Sequence, residues 1–248
     1  MEVHHHSHTA RKKWTHYFWE FFMLFLAVTL GFFVENQREH YIENKRESKY
    51  IQSIIEDLKA DTAWATQYFL DQNRSVTFYD SVILLLSLGK RDELQQRRLY
   101  YLARMAIRLS QFNRVNENAY EQIKNSGNLR LLHSQEIIDS ISGYYFRSKE
   151  IESMTNIMTL RQQALMDYEA KIFDGNVYQK MVDSKTFNIS PPDGNPRLIT
   201  TDPMIINEFI VKSHYVKGIM LYSINFAKQR RTEAIQLMQF LQKESKLK

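Results

Sequence analysis

Few residues in this chain have the type and spacing to do chemistry, and they fall into separate groups. Glu20 is the only formal charge in residues 14–34, WTHYFWEFFMLFLAVTLGFFV. A carboxylate in so apolar a setting can pair with a partner helix or carry protons. Glu20, Ala27, Gly31 and Val34 share one helical face, and the Ala27 to Gly31 spacing lets two backbones approach closely. His4, His5, His6 and His8 stand ahead of the basic triplet Arg11, Lys12 and Lys13, and clustered imidazoles bind divalent metals. Arg97, Arg104 and Arg108 recur along one helix, where they would meet an acidic ligand or partner.

Each group also has a plainer account. Glu20 can reach the headgroup layer, where Trp14, Tyr17 and Trp19 would form an aromatic belt. The histidine tail has no cysteine and no carboxylate beyond Glu2 at ligand spacing, so residues 1–13 are expected to be a disordered tail that holds no metal. Arginine is a common solvent-facing helix former. His40, His133 and His214 are isolated. No Gly-rich phosphate loop, HExxH pair, GxSxG elbow or EF-hand loop can be written from the residues present, and Glu-x-x-His occurs once, at Glu2 and His5 in the tail, without the repeat that a di-iron bundle needs. The 14 tyrosines and 15 phenylalanines sit at helical spacing, which suits a core better than base stacking. No catalytic residue and no cofactor are expected.

The element that must position Glu20 is a helix through residues 14–35. From Phe21 onwards the uncharged stretch covers only ~21 Å, but the window from Trp14 covers ~31 Å, enough for a hydrocarbon core of ~30 Å. The run ends in Gly31, Phe32, Phe33, Val34 and Glu35 rather than a small-residue cleavage site, so an uncleaved transmembrane anchor is expected. Basic residues barely discriminate its orientation, with Arg38, Lys45, Arg46 and Lys49 following the span and the basic triplet preceding it. Long domains translocate largely regardless of local charge, which points to a cytoplasmic N-terminus and the remainder outside.

Residues 36–248 are expected to fold as an extramembrane helical bundle. The mean hydropathy of −0.46 marks the bulk as water-compatible, and the length allows one sizeable core. Cysteine is absent, so no disulfide framework exists. The net charge of +5 comes from 33 basic and 28 acidic residues interspersed along the chain, which argues against a nucleic-acid groove. All 4 prolines lie in residues 191–203, and only 7 glycines occur. Because Pro costs ~3 kcal/mol and Gly ~1 kcal/mol inside a helix, long helices and an all-α fold follow.

Beyond the anchor, Tyr41, Ser48, Ile51, Ile55, Leu58, Thr62, Ala65, Phe69, Val76, Tyr79, Ile83 and Leu86 alternate at three-four spacing, with Asn44 and Gln72 filling the gaps. That heptad stripe predicts one long helix continuing from the membrane and packing on others, with a break at the polar residues 71–75. Glu35, Glu39, Glu43 and Glu47 form an acidic row expected to face solvent. A helix over 93–112 should bury Leu94, Tyr101, Met105, Leu109 and Phe112. Asn118 and Glu121 should cap a short helix reciprocally, Gly127 should close it, and Leu129, Leu131 and Leu132 should plug the core. Ser134 should cap a helix reaching Asp174, with Ile137, Ile141, Tyr144, Ile151, Met154, Met158, Leu165, Tyr168 and Ile172 inward. Residues 190–197 form an exposed loop, after which Asp202 and Pro203 open a last helix burying Ile206, Phe209, Val216, Met220, Ala227, Ala234, Met238 and Leu241.

The block AYEQIKNSGNLRLLHSQEIIDSISGYY, together with LAVTLGFFVENQREHYIENKRESKYIQSIIEDLKAD, resembles a family of uncharacterised single-pass membrane proteins of Bacteroidota. The resemblance rests on Tyr120, Glu121, Ser126, Gly127, Asn128, Leu129, Tyr144 and Tyr145, with Ile123 and Asn125 as variants. It implies an inner-membrane helical protein of a Gram-negative cell and brings no activity with it. Tyr120, Glu121, Ser126, Gly127 and Leu129 are expected to be a structural turn.

The functional expectation is a non-enzymatic, membrane-anchored module that binds protein, as a homo-oligomer or with another membrane protein. A second expectation is an extracytoplasmic ligand-sensing bundle. Its short N-terminal tail has no room for an output domain, so it would signal through a separate partner.

Overall fold

With no proline before Pro191, little interrupts the backbone hydrogen bonding, and the elements are long. The structure, a computed structural model, describes residues 14–108 and 116–246. The histidine tail, Leu109, Phe112 and the side chain of Arg108 lie outside the described residues. Among those described, every regular element is helical: α1 (Trp14–Ser87), α2 (Glu93–Arg108), α3 (Asn118–Asn125), a 3₁₀ turn (Asn128–Leu131), α4 (Gln135–Ser148), α5 (Glu150–Ile172), α6 (Gly175–Lys180) and α7 (Pro203–Lys246). The protein is all-α, with a single isolated bridge between Val182 and Ile189.

The chain divides into two compact units, residues 1–50 and 51–248. In the first, α1 is long and apolar enough to cross a membrane, and none of its most apolar stretch is buried. Phe21, Leu24, Phe32 and Val34 all face outward, and the rings of Phe18 and Phe22 stack one turn apart. Tyr41, expected on the stripe, is exposed. The acidic row does not stay in solvent throughout. Glu35 pairs with Arg38 at 2.6 Å on the surface, but Glu47 is only 1% exposed.

In the second unit the inward column of α1 is Ile51, Ile54, Leu58, Asp61, Ala65, Tyr68, Gln72, Ser75, Tyr79, Val82 and Leu86. Every seventh residue matches the expected stripe. The intervening column is shifted, with Asp61, Tyr68, Ser75 and Val82 inward of Thr62, Phe69, Val76 and Ile83, while Ile55 is buried as expected alongside Ile54. Both columns are one residue apart on the same face, and hydropathy favours the wrong one because the true one carries polar side chains. Gln72 and Ser75 are fully buried, so α1 passes through residues 71–75 without the expected break. The same spacing recurs on α7 through Phe209, Ser213, Val216, Met220, Ser223, Ala227, Arg230, Ala234, Leu237 and Leu241.

The other helices correct the expected boundaries in smaller ways. Asp92 and Gln95 cap α2 reciprocally at 2.8 and 3.0 Å, which turns Leu94 outward and Gln96, Leu99, Tyr100, Ala103 and Ala106 inward. Tyr101 and Met105 are half-buried. The helix expected over 134–174 is interrupted at Lys149 and stops at Ile172, although its predicted stripe is buried apart from half-buried Tyr168. Ser134 and Asp202 cap α4 and α7 as expected, accepting from the Ile137 and Met204 amides. The core gathers Tyr79, Leu99, Tyr100, Met158, Leu165, Phe209, Val216 and Met220 from α1, α2, α5 and α7.

Candidate functional site

Asp57 and Asp61, one turn apart on α1, reach the segment leading into α3. Asp61 accepts from the Asn116 amide at 2.8 Å and the Tyr144 hydroxyl at 3.0 Å. Asp57 accepts from the Asn116 side chain at 2.7 Å and the Ala119 amide at 2.9 Å. The cap of α3 therefore comes from α1, and not from a reciprocal Asn118 and Glu121 pair. Glu121 turns instead to Lys124 at 3.2 Å and Asn125 at 3.3 Å. A carboxylate two helices away supplies stronger, charge-assisted acceptors than a local amide.

Beyond Tyr144 the layer continues into α7. Arg230 donates to the Tyr144 carbonyl at 2.7 Å and Ser148 Oγ at 3.2 Å, pairs with Glu233, and lies 3.9 Å from the Tyr144 ring centre. Tyr120 stacks on Tyr145 at 4.5 Å. Burial pushes the Asp61 carboxyl up to about 6, against the pull of its hydrogen bonds, and raises that of Asp57. Two such carboxyls could serve acid–base chemistry, but their oxygens already accept from groups of the fold. The cavity of about 260 Å³ beside Tyr144 is lined by Ser140, Arg147, Glu233 and Phe240, and by neither aspartate. This layer holds helices together.

The predicted turn residues fall beside it. Gly127 adopts φ 70°, the left-handed conformation expected, and the Ser126 hydroxyl donates to the Ile123 carbonyl at 3.1 Å. Leu131 and Leu132 are buried and Leu129 half-buried. In the apolar stretch of α1, Glu20, Ala27, Gly31 and Val34 are exposed along one face, Glu20 meets His16 at 3.2 Å, and nothing lies within 4 Å of where a Gly31 Cβ would be.

A different arrangement surrounds Arg104. Two cavities, of about 280 and 580 Å³, share Arg104, Val182 and Phe187 as lining residues. Ile107 and Ile189 complete the smaller, and Tyr178, Gln179 and Ser184 help line the larger. The Arg104 guanidinium lies 5.2 Å from the Tyr178 ring centre, and its buried Nε has no hydrogen-bond partner. Behind Tyr178, its hydroxyl donates to Glu169 at 2.5 Å. Burial pushes that carboxyl up to about 7, while the Tyr178 hydrogen bond and the Arg104 charge pull it down.

The mouth of the cleft is a tight turn after α6. Asp183 accepts from the Lys185 and Thr186 amides, and the Phe187 amide donates to the Asp183 carbonyl at 2.8 Å. Phe187 is thereby held at φ 55° with its ring exposed, a conformation costing a bulky residue ~1 kcal/mol. Of the arginines singled out by spacing, Arg97 instead donates to the Pro192 carbonyl at 2.7 Å. With the Tyr100 hydroxyl donating to the Arg197 carbonyl at 2.8 Å, it straps down the loop at residues 190–197, which is exposed as expected apart from buried Pro192 and half-buried Pro196.

Comparison with protein-family models, curated proteins and solved structures gives no match to this chain. Among the described residues, no three His, Asp or Glu side chains are grouped as metal ligands. The cleft can therefore be read only from its own chemistry: one cation, apolar walls and a carboxyl hydrogen-bonded away behind a tyrosine. Sequence reasoning missed Glu169, Tyr178 and Phe187. Glu169 lies four residues after Leu165 and three before Ile172, so strict continuation of the α5 stripe would have flagged it.

Proposed function

We propose that this chain is a membrane-anchored helical module that works by binding protein, either further copies of itself or another membrane protein, and that it catalyses no reaction. The observation behind this reading is the exposure of the apolar side chains of residues 14–34 on a helix long enough to span a bilayer. Water does not tolerate a continuous surface of that kind, and a lipid core does. The open face through Ala27 and Gly31 supports a partner helix, because small side chains let van der Waals packing act where lipid offers no hydrophobic drive.

In this reading the N-terminus is cytoplasmic and the bundle is periplasmic, at the inner membrane of a Gram-negative cell. The support is the length of the domain that follows the anchor and the resemblance carried by the turn and anchor blocks. Crosslinking in native membranes tests the interaction: discrete oligomers or one fixed partner are expected, and a strictly monomeric, partnerless chain would refute it. Protease added to spheroplasts should cut an accessible site in the bundle only if it lies outside.

The Arg104 cleft favours a second reading, a ligand-sensing bundle that signals through a separate membrane partner. It shares the anchor and differs in requiring a small molecule to alter crosslinking.

A further inference from the structure

We infer that the cleft between α2, α6 and the turn at residues 182–189 binds a small organic monocarboxylate with an apolar body, gripped by the Arg104 guanidinium. Arg104 makes no hydrogen bond or ion pair among the described residues, and its Nε is buried without a partner. The Nε is closed even to water, but the side chain lines both cavities, and a planar carboxylate there matches the outer edge of the guanidinium with two parallel hydrogen bonds. Glu169, the nearby carboxyl, is engaged by the Tyr178 hydroxyl instead.

The rest of the lining sets the ligand's other properties. Arg104 is the single cation among the described residues that line either cavity, so one negative charge is matched and a dianion is not. Ile107, Val182, Phe187 and Ile189 wall the smaller cavity, which calls for an aliphatic or aromatic body rather than a sugar or polyol. Its volume of about 280 Å³ suits a molecule of small size, with room to extend into the larger cavity. The strained, outward Phe187 places an aromatic face at the entrance.

This inference concerns binding alone and stands whether or not the module oligomerises or signals. The experiment is calorimetric titration of the full chain in lipid nanodiscs with octanoate and 4-phenylbutanoate, each beside its neutral alcohol, and with inorganic phosphate. At least one carboxylate should bind at least ~10-fold more tightly than its alcohol and than phosphate. Arg104→Gln should lose that preference, with Arg104→Lys retaining part of it. Phe187→Gly, which suits the left-handed backbone, should weaken binding without lowering stability. Equal affinity for acid and alcohol, tighter binding of phosphate, unchanged binding by Arg104→Gln, or no carboxylate binding up to ~10 mM would each overturn the assignment.

Discussion

Asp61→Asn should make the protein more stable at neutral pH and ~1 kcal/mol less stable in mild acid. Burial raises the carboxyl from its ordinary 3.8 to about 6, so the native state holds the proton more tightly than the unfolded chain does. A raised carboxyl contributes stability below pH ~4 that is lost as pH climbs through ~6, and a displacement of this size corresponds to ~3 kcal/mol. The groups facing it are Asp57 on its own helix, Asn116 before α3, Tyr144 on α4 and Arg230 on α7. Asparagine keeps an acceptor for the Asn116 amide, and its NH₂ can donate to a rotated Tyr144 hydroxyl, so the hydrogen-bonding cost is ~1 kcal/mol. A net gain of ~1–2 kcal/mol at pH 7 is expected. Urea unfolding of the full chain in mild detergent, followed by far-ultraviolet circular dichroism between pH 4 and 8, measures it. Glu169 titrates across an overlapping range, so Glu169→Gln serves as the background for a paired comparison. If Asp61→Asn keeps the wild-type slope between pH ~4 and ~6, the buried-carboxyl argument is wrong.

Three further perturbations separate the parts of the fold. Asp57→Ala removes the acceptor of the Ala119 amide and should cost ~1–2 kcal/mol, read as faster hydrogen exchange at Ala119 with α5 protection unchanged. Gly127→Ala meets no neighbour within 4 Å but keeps φ 70°, so a loss of ~1 kcal/mol comes from the backbone alone and lowers Tm by ~2–4 °C. Gly31→Ile fills the open face of the apolar stretch of α1 and should abolish the proposed crosslinked oligomers without changing urea stability of the bundle; persistence of the oligomers would remove that face from the interface.

The all-α class and most helix termini were legible because their causes are local. Proline placement, Ser134 and Asp202 as caps, and the left-handed Gly127 each act within a turn or two of themselves. The α3 cap was not legible, because Asn118 and Glu121 satisfy the same local pattern that Asp57 overrides from 62 residues away. Leu94 was misplaced for a related reason: the Asp92 and Gln95 capping pair fixes the first turn's orientation before hydrophobicity has any say.

The inward columns of α1 and α7 carry the sharper lesson. Spacing alone marks Asp61, Tyr68, Ser213, Ser223 and Arg230 as inside, and hydropathy alone marks most of them as outside. Hydropathy errs because it charges each side chain the cost of losing water without crediting what replaces it. Ser213 and Ser223 donate to carbonyls about one turn back, but the replacements for Asp61 and Tyr68 are distant in sequence: Asn116 lies 55 residues from Asp61, Tyr144 lies 83 from it, and Ser223 lies 155 from Tyr68. No local window contains both members of such a pair. Where a heptad register and a polar residue disagree, the register is the better guide to burial, because every apolar residue in the column must turn outward if a single polar one is to escape. The cleft obeys the same logic in reverse. Glu169 sits in register and finds Tyr178, whereas Arg104 is drawn in beside them and finds nothing among the described residues to accept its Nε hydrogen. An arginine on a cleft wall with no acceptor among the described residues is where a ligand has something to supply.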